Sequence, residues 1–378
     1  MFSNPSLLAF ATLIGTIVGA GIFGIPYVMA QSGSLVAIGY FLVLGVVVWF
    51  LHLAVGEIVL RTPGRHRLIG YGSLYLGVVG KAFFVFTTVF GIVGALLAYV
   101  VIGGVFLRQF LEPVVSLSSF SGSLIFWAVL SFFIVRGMKL IAKAEVVMNV
   151  ALFLVVGLVL ALAIPFVEMS NFSLVGSEGL LLPFGVVLFA LVGWAAVPEI
   201  TDILRDSQAL KKLARVIAFA SCVTVFLYLV FGLVVTGVSG EATSQDALAG
   251  LIPFLGSSVV AVGAFFGLLT VAASFLVLGN YMKNSLRYDF KFPYVVSATT
   301  AVLLPLLLFL LGAREFVGII ALVGGVALGL EGVGILFLLR QAKLKGVRIP
   351  EYSLPMPKVL LLGIVLILAL GVISELLH

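Results

Sequence analysis

The chain has 378 residues, of which 63% are hydrophobic and only 10% charged, with a mean hydropathy of +1.33. Soluble domains run at about 45–50% apolar and about 25% charged, so this composition excludes an ordinary cytosolic enzyme. The dominance of Leu, Val, Ile and Phe excludes disorder, and the chain reads as an all-α polytopic membrane protein whose surplus of +6 must be explained by topology.

No Lys, Arg, Asp or Glu occurs from Met1 to Gly56. That stretch exceeds the roughly 20 residues one helix needs to cross the hydrocarbon, and Gln31-Ser32-Gly33-Ser34 divides it into two spans. It is not read as a cleaved signal peptide, since no basic residue precedes it and Gly and Pro interrupt it. Further charge-poor runs at 82–107, 113–135, 146–167, 179–198, 216–240, 247–282, 292–313, 316–339 and 359–374 bring the expected number of spans to eleven. With the N-terminus cytoplasmic and the C-terminus outside, the inner loops hold all of the 21 Lys and Arg except Arg108 and Arg314. This bias fits a protein of the plasma (inner) membrane of a prokaryote and leaves no nucleic-acid footprint to explain. Cys222 is the single cysteine, so there is neither a disulfide framework nor a cysteine metal site.

Span 1 reads Gly15-Thr-Ile-Val-Gly19-Ala-Gly21-Ile-Phe-Gly24-Ile-Pro26. Four glycines and a proline within twelve residues weaken a helix at its middle. Backbone freed there must be buried in protein or line a cavity, although the Gly15–Gly19 pair also suits close helix packing. Span 6, with Gly185, Phe189, Gly193, Trp194, Pro198 and Glu199, repeats the pattern. If 5–166 and 179–340 are two five-helix repeats followed by an extra helix at 359–376, all in one transporter domain, spans 1 and 6 open the two repeats. The odd helix number inverts one repeat against the other. Paired broken helices of this kind mark a midplane transport site. Their free N–H ends suit a carboxylate and their carbonyl ends an ammonium group or a cation, so a zwitterionic amino acid needs no buried Lys or Arg.

Three acids lie at membrane depth, where an ionisable group is a functional candidate. Glu57 is expected to pair with Arg61 four residues on. Glu199 stands at the inner end of span 6, to gate release, carry a proton or cap the helix. Glu331, in Gly329-Leu-Glu331-Gly-Val-Gly334, is expected to face protein or a water cavity. His52 reads as a hydrogen-bonded packing residue more readily than as a proton relay. No phosphate-binding loop, metal-spaced cluster or nucleophile–base constellation is present, so the chain is not read as an enzyme.

Gly15–Pro26 and the Val-Pro-Glu end of span 6 resemble the amino acid/polyamine/organocation superfamily, nearest to its amino acid/auxin permease and hydroxy/aromatic amino acid permease branch. The resemblance implies the LeuT-type fold, a 5+5 inverted repeat plus one helix. It implies N–H groups of Gly19, Ala20 and Gly21 for a substrate carboxylate, and carbonyls of Ile17 and Phe189 for its ammonium group. The helix 6 break at Gly193 and Trp194, and Tyr99 in helix 3, would line the pocket, with packing the other reading of Trp194. For an ion site it implies the carbonyls of Gly15 and Val18 with Thr270, Ala273 and Ser274, which share one face of helix 8. Their hydroxyls could equally bond the carbonyl one turn back. Helix 5 has no Lys, only Asn149, where some proton-coupled relatives place one. H⁺, through Glu199 or Glu331, and Na⁺ therefore both stand as coupling ions, with no other cofactor. The expected activity is cation-coupled import of neutral, aromatic or hydroxylated L-amino acids by alternating access, in a lipid bilayer and without an obligatory protein partner. The alternatives are a polyamine or organic-cation transporter, which would want more acids at the site, and a non-transporting sensor, which would want a partner-binding extension.

Overall fold

The computed structural model describes residues 4–112, 114–137, 142–176, 180–205, 208–288 and 290–377, and the regular elements among them are all helical. Helix α1 (Pro5–Ile17) begins where the Asn4 side chain accepts the Ser6 N–H at 3.0 Å and Pro5 fills the first turn. It breaks at Val18–Ala20, and α2 (Gly21–Ser32) leaves at 53° to it. Gly33 then turns the chain into α3 (Ser34–Arg61), which puts the expected division between spans 1 and 2 in place. Helices α4 (Leu68–Leu111), α5 (Ser119–Val135) and α6 (Ala142–Ala163) follow.

The second half opens with α7 (Pro183–Leu191), a break at Val192–Gly193, a short 3₁₀ turn, and α8 (Val197–Leu204). Then come α9 (Leu213–Ser239), α10 (Ile252–Tyr288) and α11 (Tyr294–Leu310). Helix α12 (Phe316–Leu322) passes through a π-helical turn at Val323–Leu328 into α13 (Gly329–Lys345), and α14 (Lys358–Leu377) closes the chain. The two halves share a mark that the sequence did not announce. Helices α4 and α10 each carry one left-handed glycine, Gly77 at φ 71 and Gly256 at φ 78. Only glycine takes that conformation without strain, so each kinks the third helix of its half.

Among the described residues, seven helices are long and apolar enough to cross a membrane, or eight if the bent α1–α2 pair is one span. The segments Ser119–Val135, Val150–Phe166 and Tyr294–Leu310 are shorter apolar helices at three of the expected spans. Length and composition thus account for eight of the eleven expected spans, and three rest on position. Spans 3 and 10 also differ from expectation: α4 starts well before residue 82, and span 10 is interrupted by its π turn.

The helices pack in two groups. Helices α1, α2, α3, α7, α8 and α9 contact one another, and α4, α5, α10 and α11 form a second set, with α12 and α13 against both. One close joint sets glycine on glycine. A Cβ added to Gly324 in the π turn would lie 1.9 Å from the Gly185 carbonyl oxygen, and one on Gly185 would lie 2.1 Å from that of Ala321. Backbone lies on backbone here, as small residues permit between membrane helices. At the other end of α3, Glu57 is fully buried and anchors the segment between α13 and α14. It accepts from Arg61 Nε and Lys343 Nζ, both at 2.8 Å, and from the Leu354 N–H at 2.7 Å. The Tyr352 hydroxyl donates to the Leu53 carbonyl at 2.7 Å, and burial keeps that phenol in its protonated, donating form. The Glu57–Arg61 pair expected from sequence is therefore one part of a larger tie.

Gly324→Ala should destabilise the protein by about 1–3 kcal/mol, the cost of overpacking a closed joint. Gly157→Ala, where an added Cβ meets nothing within 4 Å, should not destabilise it, since alanine favours the helix over glycine. Thermal unfolding of the detergent-solubilised variants measures both.

Candidate functional site

The two breaks abut. A Cβ on Gly193 would lie 2.4 Å from Ile17 Cγ1, and one on Gly21 would lie 2.7 Å from Ala190 Cα. At the first break the Val18 N–H still reaches Ile14 O at 2.7 Å, but the Gly19 N–H folds back onto Ile17 O at 3.0 Å. Among the described residues no acceptor reaches the N–H of Ala20 or Gly21, and no donor reaches the carbonyls of Gly15 or Val18. An added Cβ at Gly19 meets nothing within 4 Å, so open space borders the break there. Of the three N–H groups expected to hold a carboxylate, those of Ala20 and Gly21 are free and that of Gly19 is engaged.

The Ile17 carbonyl is not free in this conformation. Besides the Gly19 N–H it takes the Tyr228 hydroxyl at 2.9 Å, and the same hydroxyl lies 3.1 Å from Ala190 O. Tyr228, fully buried on α9, thus clasps the last turn of α1 to that of α7. Eight residues along α9, Thr236 Oγ1 donates to Pro26 O at 3.0 Å. At the second break, the Phe189 carbonyl on half-buried Phe189 has no donor among the described residues. The Gly193 N–H, which would close a turn onto it, donates instead to His52 Nε2 of α3 at 3.0 Å. His52 and Trp194 meet edge to face with centroids 6.3 Å apart.

Trp194 is 1% exposed, and its indole N–H donates to Glu331 Oε2 at 2.8 Å. Glu331 is 5% exposed, and Thr88 and Thr87 of α4 donate to its other oxygen at 3.3 and 3.5 Å. Glu331 therefore faces protein, as expected, and joins the second break to α4 and α13.

The remaining candidates are placed differently. Tyr99 is buried and bonded to Ser274 across α4 and α10, close to Tyr228. Thr270 Oγ1 donates one turn back to Phe266 O at 3.0 Å, and Ala273 is buried beside it. The main neighbours of α1 are α8 and α9, and those of α10 are α4, α6 and α11, so the two halves of the expected Na⁺ cage share no main interface in this conformation. Glu199, in the first turn of α8, is exposed. Sequence reasoning missed Tyr228, Thr87 and Thr88. A lone tyrosine hydroxyl inside span 7 was the available signal, but nothing in the sequence pairs it with a break.

A family model described as "Transmembrane amino acid transporter protein" matches residues 6–330. No curated protein matches the sequence. Among solved structures, the crystal structure of MhsT in complex with L-phenylalanine matches over 98% of each chain, with a TM-score of 0.68 at 16% identity. At that identity the likeness is one of fold, the LeuT-type arrangement that the paired broken helices imply.

Tyr228→Phe removes the only donor that spans both breaks among the described residues and leaves the Ala190 carbonyl without its donor. It should cost about 1–3 kcal/mol, read as a lowered unfolding temperature, with Tyr99→Phe costing less because it frees a hydroxyl and not a backbone carbonyl.

Proposed function

The chain belongs to the transmembrane amino acid transporter protein family, and we propose that it imports neutral L-amino acids, aromatic or hydroxylated ones among them, by proton-coupled symport with alternating access. The substrate carboxylate lies on the N–H groups of Ala20 and Gly21 at the positive end of α2, its ammonium group on the Phe189 carbonyl, and Trp194 walls its side chain. Helices α1–α3 and α7–α9 rock against α4, α5, α10 and α11 around that point.

Glu331 is the observation that carries the choice of ion. It is a buried carboxyl whose bonded partners are Trp194, Thr87 and Thr88, all neutral donors. As a carboxylate it makes the indole bond charge-assisted, and such bonds are about twice as strong as neutral ones. A proton added to Glu331 removes that advantage. The threonine hydroxyls can turn to accept, whereas the indole N–H can only donate. Proton loading therefore loosens the tie between Trp194, at the second break, and the α4–α13 side, which links the proton to the movement of the substrate site. The Na⁺ alternative has less behind it, since α1, with the Gly15 and Val18 carbonyls, and α10, with Thr270 and Ser274, share no main interface in this conformation. A polycationic substrate is also less favoured, because Glu199 points outward and Glu331 is the one acid in contact with the breaks among the described residues.

Purified protein in liposomes should accumulate labelled neutral amino acids under an inward proton gradient and not under an inward sodium gradient; the reverse result would overturn the choice of ion. Glu331→Gln should lose proton-driven accumulation and keep amino acid exchange, which needs no net proton movement. Gly19→Ala should unfold at the wild-type temperature, since an added Cβ meets nothing within 4 Å, and should weaken substrate binding by crowding the carboxylate position.

A further inference from the structure

Helix α7 stops at Leu191, and the reason lies outside α7. In an uninterrupted helix the N–H of residue 193 would bond to the carbonyl of residue 189. That N–H is instead held by His52 Nε2 at 3.0 Å, from the middle of α3. The other end-turn carbonyls of α7 are partly provided for, Leu188 O by the Val192 N–H and Ala190 O by Tyr228. Phe189 O is left with a lone pair and no donor among the described residues.

An imidazole is an expensive way to fill this position. His52 is fully buried, and its Nδ1 has no hydrogen-bond partner among the described residues. A ring that accepts at Nε2 must carry its hydrogen on Nδ1 when neutral, so a buried donor is left unsatisfied, which is a destabilising state. A leucine or phenylalanine would pack there without that penalty. What no apolar residue could do is accept the Gly193 N–H. Gly193 itself has no room for a side chain, since a Cβ would strike Ile17.

We infer that His52 is a positioning residue for transport: by capturing the Gly193 N–H it prevents α7 from winding a further turn and keeps the Phe189 carbonyl available as the acceptor for the substrate's ammonium group. His52 touches no substrate. It acts through the backbone of the second break, as Tyr228 acts on the first. The role of Phe189 rests on the substrate reading above, whereas the state of His52 does not, and the test separates the two.

The chain has three histidines, His52, His66 and His378, so protein labelled with ¹⁵N in the imidazole ring gives a spectrum that single His66 and His378 substitutions assign. Near neutral pH, His52 should appear as the neutral tautomer protonated at Nδ1, with a hydrogen-bonded, unprotonated Nε2. A proton on Nε2 would overturn the inference whether or not any amino acid is transported. On the functional side, Gln places an amide oxygen near the position of Nε2, while Leu offers no acceptor. His52→Leu should raise KM for the best-transported amino acid by on the order of tenfold with little change in kcat, and His52→Gln should restore it. Equal losses in both variants, or a fall in kcat alone, would reduce His52 to a packing residue. If His52→Leu does not fold, the spectrum of the unsubstituted protein still decides. Failure of the wild type to accumulate amino acids, with the expected tautomer present, would overturn the transport reading and leave the cause of the break standing.

Discussion

A helix interrupted inside a membrane must satisfy its freed N–H and carbonyl groups without bulk water, and this structure is arranged around that constraint. The relief is reciprocal. Helix α9, the second helix of the second half, sends Tyr228 and Thr236 to the backbone of the broken helix that opens the first half. Helix α3, the second helix of the first half, sends His52 to the break that opens the second. Each half thus steadies the interruption in the other. This explains why α1, α2, α3, α7, α8 and α9 cohere as a group, and why the breaks persist as defined structures.

What those donors and acceptors leave over is the chemistry. Among the described residues, the N–H groups of Ala20 and Gly21 and the carbonyls of Val18 and Phe189 are among the groups left without partners at the breaks, opposite in sign and close together because Gly21 lies on Ala190 and Gly193 on Ile17. A zwitterion matches that pattern without any charged side chain. The one acid in contact with the breaks among the described residues, Glu331, is linked to the indole of Trp194 and to two threonines of α4, and so lies across the line between the two helix groups. A second tie lies at the far end of α3, where Glu57 gathers Arg61, Lys343 of α13 and the Leu354 N–H and so fixes α3 to α13. Rocking one group against the other must therefore move or strain the tie at Glu331, which alone of the two reaches both a break and α4.

The apolar runs, the basic loops and the Gly/Pro-rich cores of spans 1 and 6 were legible because each is a local property of composition. Glu331 was legible too, since an acid in so apolar a run has few tolerable surroundings. The π turn at Val323–Leu328 was not: its glycines announce close approach, but the approach is to the Gly185 carbonyl of another helix. The register of helix 8 was half legible. Thr270, Ala273 and Ser274 share a face, yet their partners, Phe266 within the helix and Tyr99 on α4, are chosen by how α10 packs.

By itself the sequence determined that this protein is a bundle of membrane helices, which loops carry its positive charge, and where two of the helices break. Those follow from hydrocarbon thickness, from the cost of burying charge and from the backbone chemistry of glycine and proline, all of which act over a few residues. Only the tertiary structure decided which freed groups are spent and which remain. Tyr228 lies 211 residues from Ile17 and His52 lies 141 from Gly193, and a hydrogen bond depends on separation in space, which sequence spacing does not encode.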